Sequence, residues 1–285
     1  MHERSTTATV EDNMERRFQF TGTGGGLLGK FLVGMILTGI TMGIYAPWFI
    51  VNLQKYICEN LTLKTENGDV KFSFTGTGGK LFGVYLVGAI LTGLTLGIYA
   101  SWFMVNITRF FAENTQATSA EGKSYTVQFN GNGASLFGTY FVGVLLTCIT
   151  FGIYAPWFMV KVTKFFTDNM DILENSTKVG TFAFTGEGGE LFGIYILGAI
   201  LSTITLGIYS FWFVVNIMKY FNNHTEVSVS GKTVTGDFTG TGGKYFAINF
   251  VGYLLTMLTI GIYGAWYMCN LLKFQYENVR FLDKA

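Results

Sequence analysis

The chain has 285 residues, of which 49% are hydrophobic, 17% aromatic and only 13% charged, with a net charge of +1. A soluble domain carries about 25% charged residues, so this composition, with a mean hydropathy of +0.38, argues for a membrane protein. The near-zero charge excludes the broad basic face of a nucleic-acid binder, and three scattered cysteines, Cys58, Cys148 and Cys269, form neither a disulfide framework nor a metal knuckle.

Residues 1–16 hold neither an apolar core nor a cleavage site, and they are expected to form a short disordered tail rather than a signal peptide. From residue 17 the chain repeats itself. Aligning Gly43, Gly97, Gly152, Gly207 and Gly261 gives spacings of 54, 55, 55 and 54 residues. The units are then 17–63, 64–117, 118–173, 174–228 and 229–285 of a single membrane domain. A phenylalanine stands 23 residues upstream of each glycine: Phe20, Phe74, Phe129, Phe184 and Phe238. Trp48, Trp102, Trp157, Trp212 and Trp266, all the tryptophans of the chain, share one column downstream. Repetition this regular decides the architecture before any local reading.

Each unit opens with a short alternating strand such as VKFSF, in which Val70, Phe72 and Phe74 share a face. A glycine-rich bend, TGTGG in the second unit, follows. The linkers read as β-hairpins: Asn67-Gly68 is a strong turn signal, and Gly231-Lys232 repeats the theme. Next come uncharged apolar runs, Phe31–Leu53 and Leu81–Ile107, matching the roughly 20 residues that cross a bilayer as a helix.

Every such run is interrupted at its centre by the motif T-x-G-I-Y. A glycine followed by Pro47, Ser101, Pro156 or Ser210 reads as a helix stop and restart. Tyr45, Tyr99, Tyr154, Tyr209 and Tyr263, with the five tryptophans, favour a membrane–water interface over the bilayer centre. Nearly every connecting segment is moderately basic, without the alternation expected of one crossing per repeat. Each unit is therefore expected to be a helical hairpin, roughly Gly79–Leu96 and Ser101–Glu113 in the second; a single kinked span is the alternative. The predicted fold is an integral membrane protein, mainly α with short β-hairpins, in five tandem repeats. The lone terminal strands, Arg17–Phe20 and Val279–Leu282, are expected to pair and close a pseudo-fivefold ring.

The returning helices carry a basic column, Lys55, Arg109, Lys164, Lys219 and Lys273. Asn52, Asn106, Lys161, Asn216 and Asn270 stand one turn earlier on the same face. Two readings remain open: a girdle whose stems snorkel to the headgroups, or an inward ring of cations and amides favouring anions or lipid phosphates. The glycine-rich bends lack the Gly-Lys-Ser/Thr ending of a phosphate loop. His224 occupies a column otherwise held by Asn60, Asn114, Asn169 and Asn278, and it reads as a helix-end cap. No nucleophile–base set or metal motif stands out of the repeat, so neither catalysis nor a cofactor is expected. Membrane lipids are the expected partners, with an anion or small solute as a further candidate and nucleic acid excluded.

The string F-x-F-x-G-x-G-G-x-L-F, present here as Phe72–Phe82, followed by Thr95–Trp102 and Arg109–Thr115, resembles the YjgN family of bacterial inner-membrane proteins of unknown function. The likeness recurs over almost the whole chain from Phe18. It implies a multi-pass protein of the bacterial cytoplasmic membrane and brings no established activity or catalytic residues with it. The functional expectation is a channel-like or transport-related protein; the alternative is a non-conducting membrane scaffold or lipid-binding protein.

Overall fold

The computed structural model describes residues 16–284. Of the tail expected over residues 1–16, residues 1–15 lie outside the described residues, and Arg16 belongs to a strand rather than to the tail. The first repeat supplies β1 (Arg16–Phe20), α1 (Gly24–Ile40) and α2 (Ala46–Glu59), leading into β2 (Leu61–Thr65). The second continues with β3 (Gly68–Phe74), α3 (Gly78–Leu94), α4 (Ala100–Glu113) and β4 (Thr115–Thr118). Then come β5 (Ser124–Phe129), α5 (Gly133–Ile149), α6 (Ala155–Asp168) and β6 (Met170–Glu174). The fourth holds β7 (Thr177–Phe184), α7 (Gly188–Ile204), α8 (Ser210–Asn223) and β8 (Thr225–Val229). The last holds β9 (Lys232–Phe238), α9 (Gly242–Leu258), α10 (Gly264–Glu277) and β10 (Val279–Asp283).

This architecture overturns the expected integral-membrane, mainly α fold. The strands are not short separate hairpins: all ten form one closed antiparallel barrel. No described helix is long and apolar enough to cross a membrane. The physical reason lies at the T-x-G-I-Y corner, which cuts each apolar run into a helix of 17 residues and one of 14. At 1.5 Å per residue the longer reaches about 25 Å, short of a hydrocarbon core of about 30 Å. The first helix of the second repeat ends at Leu94, two residues earlier than the sequence suggests, and the next begins at Ala100, one residue earlier.

The five repeats themselves are present, and β1 pairs with β10 through Arg16↔Phe281 and Arg17↔Arg280. This last ladder leaves the sheet without an open edge. Side chains alternate across the barrel wall. Facing the lumen, Phe18 sits opposite Leu63, Phe72 opposite Ala117, Val127 opposite Ile172, and Phe182 opposite Val227. One residue along, on the outer face, Gln19 meets Thr62, Ser73 meets Gln116, Gln128 meets Asp171, and Asp237 meets Arg280. A barrel that spans a membrane turns its apolar residues outward to lipid. This one is the reverse, a polar outer wall around a mainly apolar interior.

The corner has a local cause. Thr95 Oγ1 donates to Leu91 O at 2.7 Å and accepts from the Tyr99 amide at 2.9 Å, tying the end of α3 to the start of α4. Gly97 turns the chain at φ +95°, a conformation that favours glycine. The equivalent threonines, Thr41, Thr150, Thr205 and Thr259, make the same two bonds. The shorter helix of each unit packs beneath the strand that opens the next: α2 under β3, α4 under β5, and α10 under β1. Core clusters such as Val51, Cys58, Phe74, Leu81 and Phe110 lie at these junctions, so helix packing positions the strand that opens each repeat.

Candidate functional site

Two regions of the molecule are chemically unusual. The first is the set of corner tips. The residue before each corner glycine is large and apolar: Met42, Leu96, Phe151, Leu206 and Ile260. These five are 94–97% exposed and all adopt a left-handed conformation near φ +50°. Such a conformation costs an L-residue about 1–2 kcal/mol, and for a β-branched residue such as Ile260 it is an outlier. Each tip is flanked by further exposed apolar residues, Leu94 and Ile98 in the second repeat. The apolar surface continues along the first helix of each unit, through Leu86, Val87 and Ile90 on α3. Sequence reasoning passed over the variable position of T-x-G-I-Y. Its signal was that the position is always large and apolar, although turns favour glycine, asparagine or aspartate.

The aromatic residues singled out in the sequence lie beside the tips, all half-buried. Tyr45 stacks on Trp48, Tyr99 on Trp102, Tyr154 on Trp157, Tyr209 on Trp212 and Tyr263 on Trp266, at centroid distances of 5.9–6.3 Å. Each tryptophan also covers the first glycine of the following repeat's long helix, Trp48 over Gly78 and Trp266 over Gly24. They form the joints between repeats.

The amide and basic columns do not converge on one point. Asn106 and Arg109 line an open groove between α3 and α4 with Gly83, Val87 and Glu113, and the exposure of Val87 places it on the outer side. Arg109 Nη2 donates to Gly131 O at 3.0 Å, and its Nε lies 3.9 Å from Glu113. Asn52, Lys161 and Asn270 are exposed, while Lys55, Lys164, Asn216, Lys219 and Lys273 are half-buried. Lys161 Nζ sits 5.7 Å from the Tyr154 ring centre. Among the described residues Lys55, Lys164 and Lys219 have no carboxylate within ion-pair distance. His224 takes the capping place of the asparagines: its Nδ1 lies 2.8 Å from Tyr220 O, and its Nε2 lies 3.1 Å from Glu190. Among the described residues no group of His, Cys, Asp and Glu could hold a metal ion.

The second region is the barrel lumen, a cavity of about 550 Å³. Its wall is mainly the inward apolar row, with Thr115, Tyr125 and Thr126 also among the lining. At one end Phe18 meets Phe72, Phe281 and Tyr276 at 5.7–6.0 Å. At the other the hairpin turns place Arg16, Glu66, Glu121, Lys123 and Lys232 around a charged mouth. Arg16 is engaged by Asp283 at 2.7 Å and Glu66 at 3.6 Å. Glu121, 3.1 Å from Lys123, raises that ammonium above the usual lysine range.

The repeat unit also decides the family. A model described as a bacterial protein of unknown function, DUF898, matches five times in succession, over residues 15–68, 69–121, 124–178, 179–231 and 233–285. The chain belongs to the DUF898 family. Each DUF898 match comprises a strand, two helices and a second strand, and the boundaries fall at or close to the hairpin turns of the barrel. The inner membrane protein YjgN of Salmonella typhimurium is 38% identical over 95 residues, which is 33% of this chain and 23% of that protein. The inner membrane protein YjgN of Escherichia coli K12 is 34% identical over 87 residues, 29% of this chain and 21% of that protein. The matched stretch thus spans less than a quarter of the length of these relatives. No solved structure matches the chain.

Proposed function

We propose that this DUF898 protein is a non-conducting, lipid-binding scaffold of the bacterial inner membrane. In this reading the five corner tips and the outward faces of the long helices sit in the bilayer from one side, and the barrel stands in water. The observation that carries it is the conformation of Met42, Leu96, Phe151, Leu206 and Ile260, nearly fully exposed apolar residues held at positive φ. Exposed apolar surface on this scale, rimmed by polar structure, marks an interaction or membrane site. The polar outer wall of the barrel supports the water side, and the naming of the YjgN relatives as inner membrane proteins supports the choice of membrane.

The channel-like reading has less support. A conduction path needs polar groups or charged rings along its length, whereas the lumen wall is mainly apolar and its inner part is packed with Phe18, Phe72 and Phe281.

Cys148 provides the test, because it is exposed on α5 close to a corner while Cys58 and Cys269 are buried. A spin label on Cys148 in phosphatidylethanolamine/phosphatidylglycerol vesicles is expected to be accessible to oxygen and shielded from a water-soluble relaxation agent. Changing Leu96→Asp together with Phe151→Asp should release the protein from the vesicles. A Cys148 label fully open to the water-soluble agent would overturn the proposal.

A further inference from the structure

We propose that the barrel lumen is a binding site for a single-chain amphiphile with an anionic head, of the fatty-acid or lysophospholipid class. This site is separate from the corner tips and does not depend on their insertion into lipid. The cavity of about 550 Å³ falls within the roughly 300–1,000 Å³ of small-molecule pockets, and barrel mouths are among the places where these occur. A ligand inside meets a mainly apolar wall, with Leu63, Val127, Ile172 and Val227 among its lining. Polar partners along that wall are few, Thr115 Oγ1 being already taken up by Phe111 O, and burying a polar ligand group without a partner is costly. An alkyl chain meets no such penalty. Two acyl chains of a membrane lipid are too bulky for the space, which selects one.

The mouth supplies the other half of the ligand. Arg16 is committed to Asp283 and Glu66, and Lys123 to Glu121. Lys232, at the start of β9, also lines the cavity and is exposed. Among the described residues no carboxylate lies within ion-pair distance of it. It is the cation at the rim left to meet an anionic head, while the chain end reaches towards Phe18 and Phe72.

The full chain held in amphipol, which keeps it dispersed whether or not it enters a bilayer, is titrated with palmitate, lysophosphatidylglycerol and hexadecanol and read by native mass spectrometry. Saturable binding of one palmitate or one lysophosphatidylglycerol per chain is expected, and the tighter of the two identifies the head. Ala117→Trp, which fills the lumen, should weaken binding by at least about tenfold, while the same bulk on the outer wall, Ser73→Trp, should leave it unchanged. Lys232→Gln should weaken both anionic ligands by about three- to tenfold and leave hexadecanol unaffected. Should Ala117→Trp lose its far-ultraviolet circular dichroism, Val127→Phe takes its place. The proposal is overturned by absence of a saturable adduct in the unmodified protein, by equal binding in the lumen-filled variant, or by equal losses in the inner and outer tryptophan variants. Unchanged anionic binding in Lys232→Gln overturns the assignment of the head-group contact.

Discussion

Gly78 lies directly against Trp48: a Cβ on this glycine would stand 2.8 Å from the Trp48 Cα. The same contact joins Gly188 to Trp157 and Gly242 to Trp212, and Gly24 to Trp266 closes the circle at 2.7 Å. The tryptophan and glycine columns are therefore one device, a backbone-to-backbone joint between successive repeats. Gly78→Ala must push two main chains apart, and overpacking of this kind costs about 1–3 kcal/mol. Gly79, one residue on, has nothing within 4 Å of a new Cβ, so Gly79→Ala should be neutral or stabilising by up to about 1 kcal/mol. Thermal unfolding followed by circular dichroism compares the two; equal melting temperatures would show that the joint carries no strain.

The corner threonine gives a second prediction. Thr95 Oγ1 both donates to Leu91 O and accepts from the Tyr99 amide. Thr95→Val keeps the shape and removes both bonds, at an expected loss of about 1–2 kcal/mol, whereas Thr95→Ser keeps the hydroxyl and should lose much less. Denaturant titration of the three proteins distinguishes hydrogen bonding from packing, and a serine variant as weak as the valine one would assign the effect to the lost methyl group.

Ile260 should show a conflict between folding and membrane attachment. Its β-branched side chain is held at φ 50°, so Ile260→Asn, which tolerates that conformation, is expected to stabilise the fold by about 1 kcal/mol. The same change removes an apolar tip and should lower partition into vesicles. A variant both less stable and less membrane-bound would point instead to a packing role for this residue.

Removing residues 279–285 deletes β10 and exposes the edges of β1 and β9, which it pairs. Unpaired edges template association, so the shortened chain is expected to aggregate, as light scattering would report, and to lose its cooperative melt. A monodisperse, cooperatively folded product would mean that the helices alone hold the ring.

A non-conducting scaffold also makes a negative electrical prediction. Liposomes containing the protein and a chloride-sensitive dye should quench no faster than empty ones, and Lys164→Gln with Lys219→Gln should change nothing. Chloride entry that this pair of substitutions abolishes would revive the inward cation ring.

The repeat and its parts were legible because each rests on short-range physics. Asn67-Gly68 announces a hairpin turn, the alternation of Val70, Phe72 and Phe74 announces a strand, and the break at Gly97 before Ser101 announces a helix restart. Pairing of the termini could be inferred too, since Arg17–Phe20 and Val279–Leu282 each lack a partner along the chain. The alternation showed that a strand such as Val70–Phe74 has an apolar face, but that these faces enclose a lumen with a charged mouth depends on all ten strands at once.

Taken alone, the amino-acid order determined five repeats, a break in each apolar run at the T-x-G-I-Y corner, and the strand turns, because those features depend on neighbours within a few residues. Only the tertiary structure decided that β3 pairs with β4 across some 40 intervening residues, since that ladder forms where the packing of α2 and α4 delivers the strands. Closure then settled which face of each strand is inside. It also turned the groove of Asn106 and Arg109 outward, because a side chain's direction around a helix acquires meaning only once the helices on either side are in place.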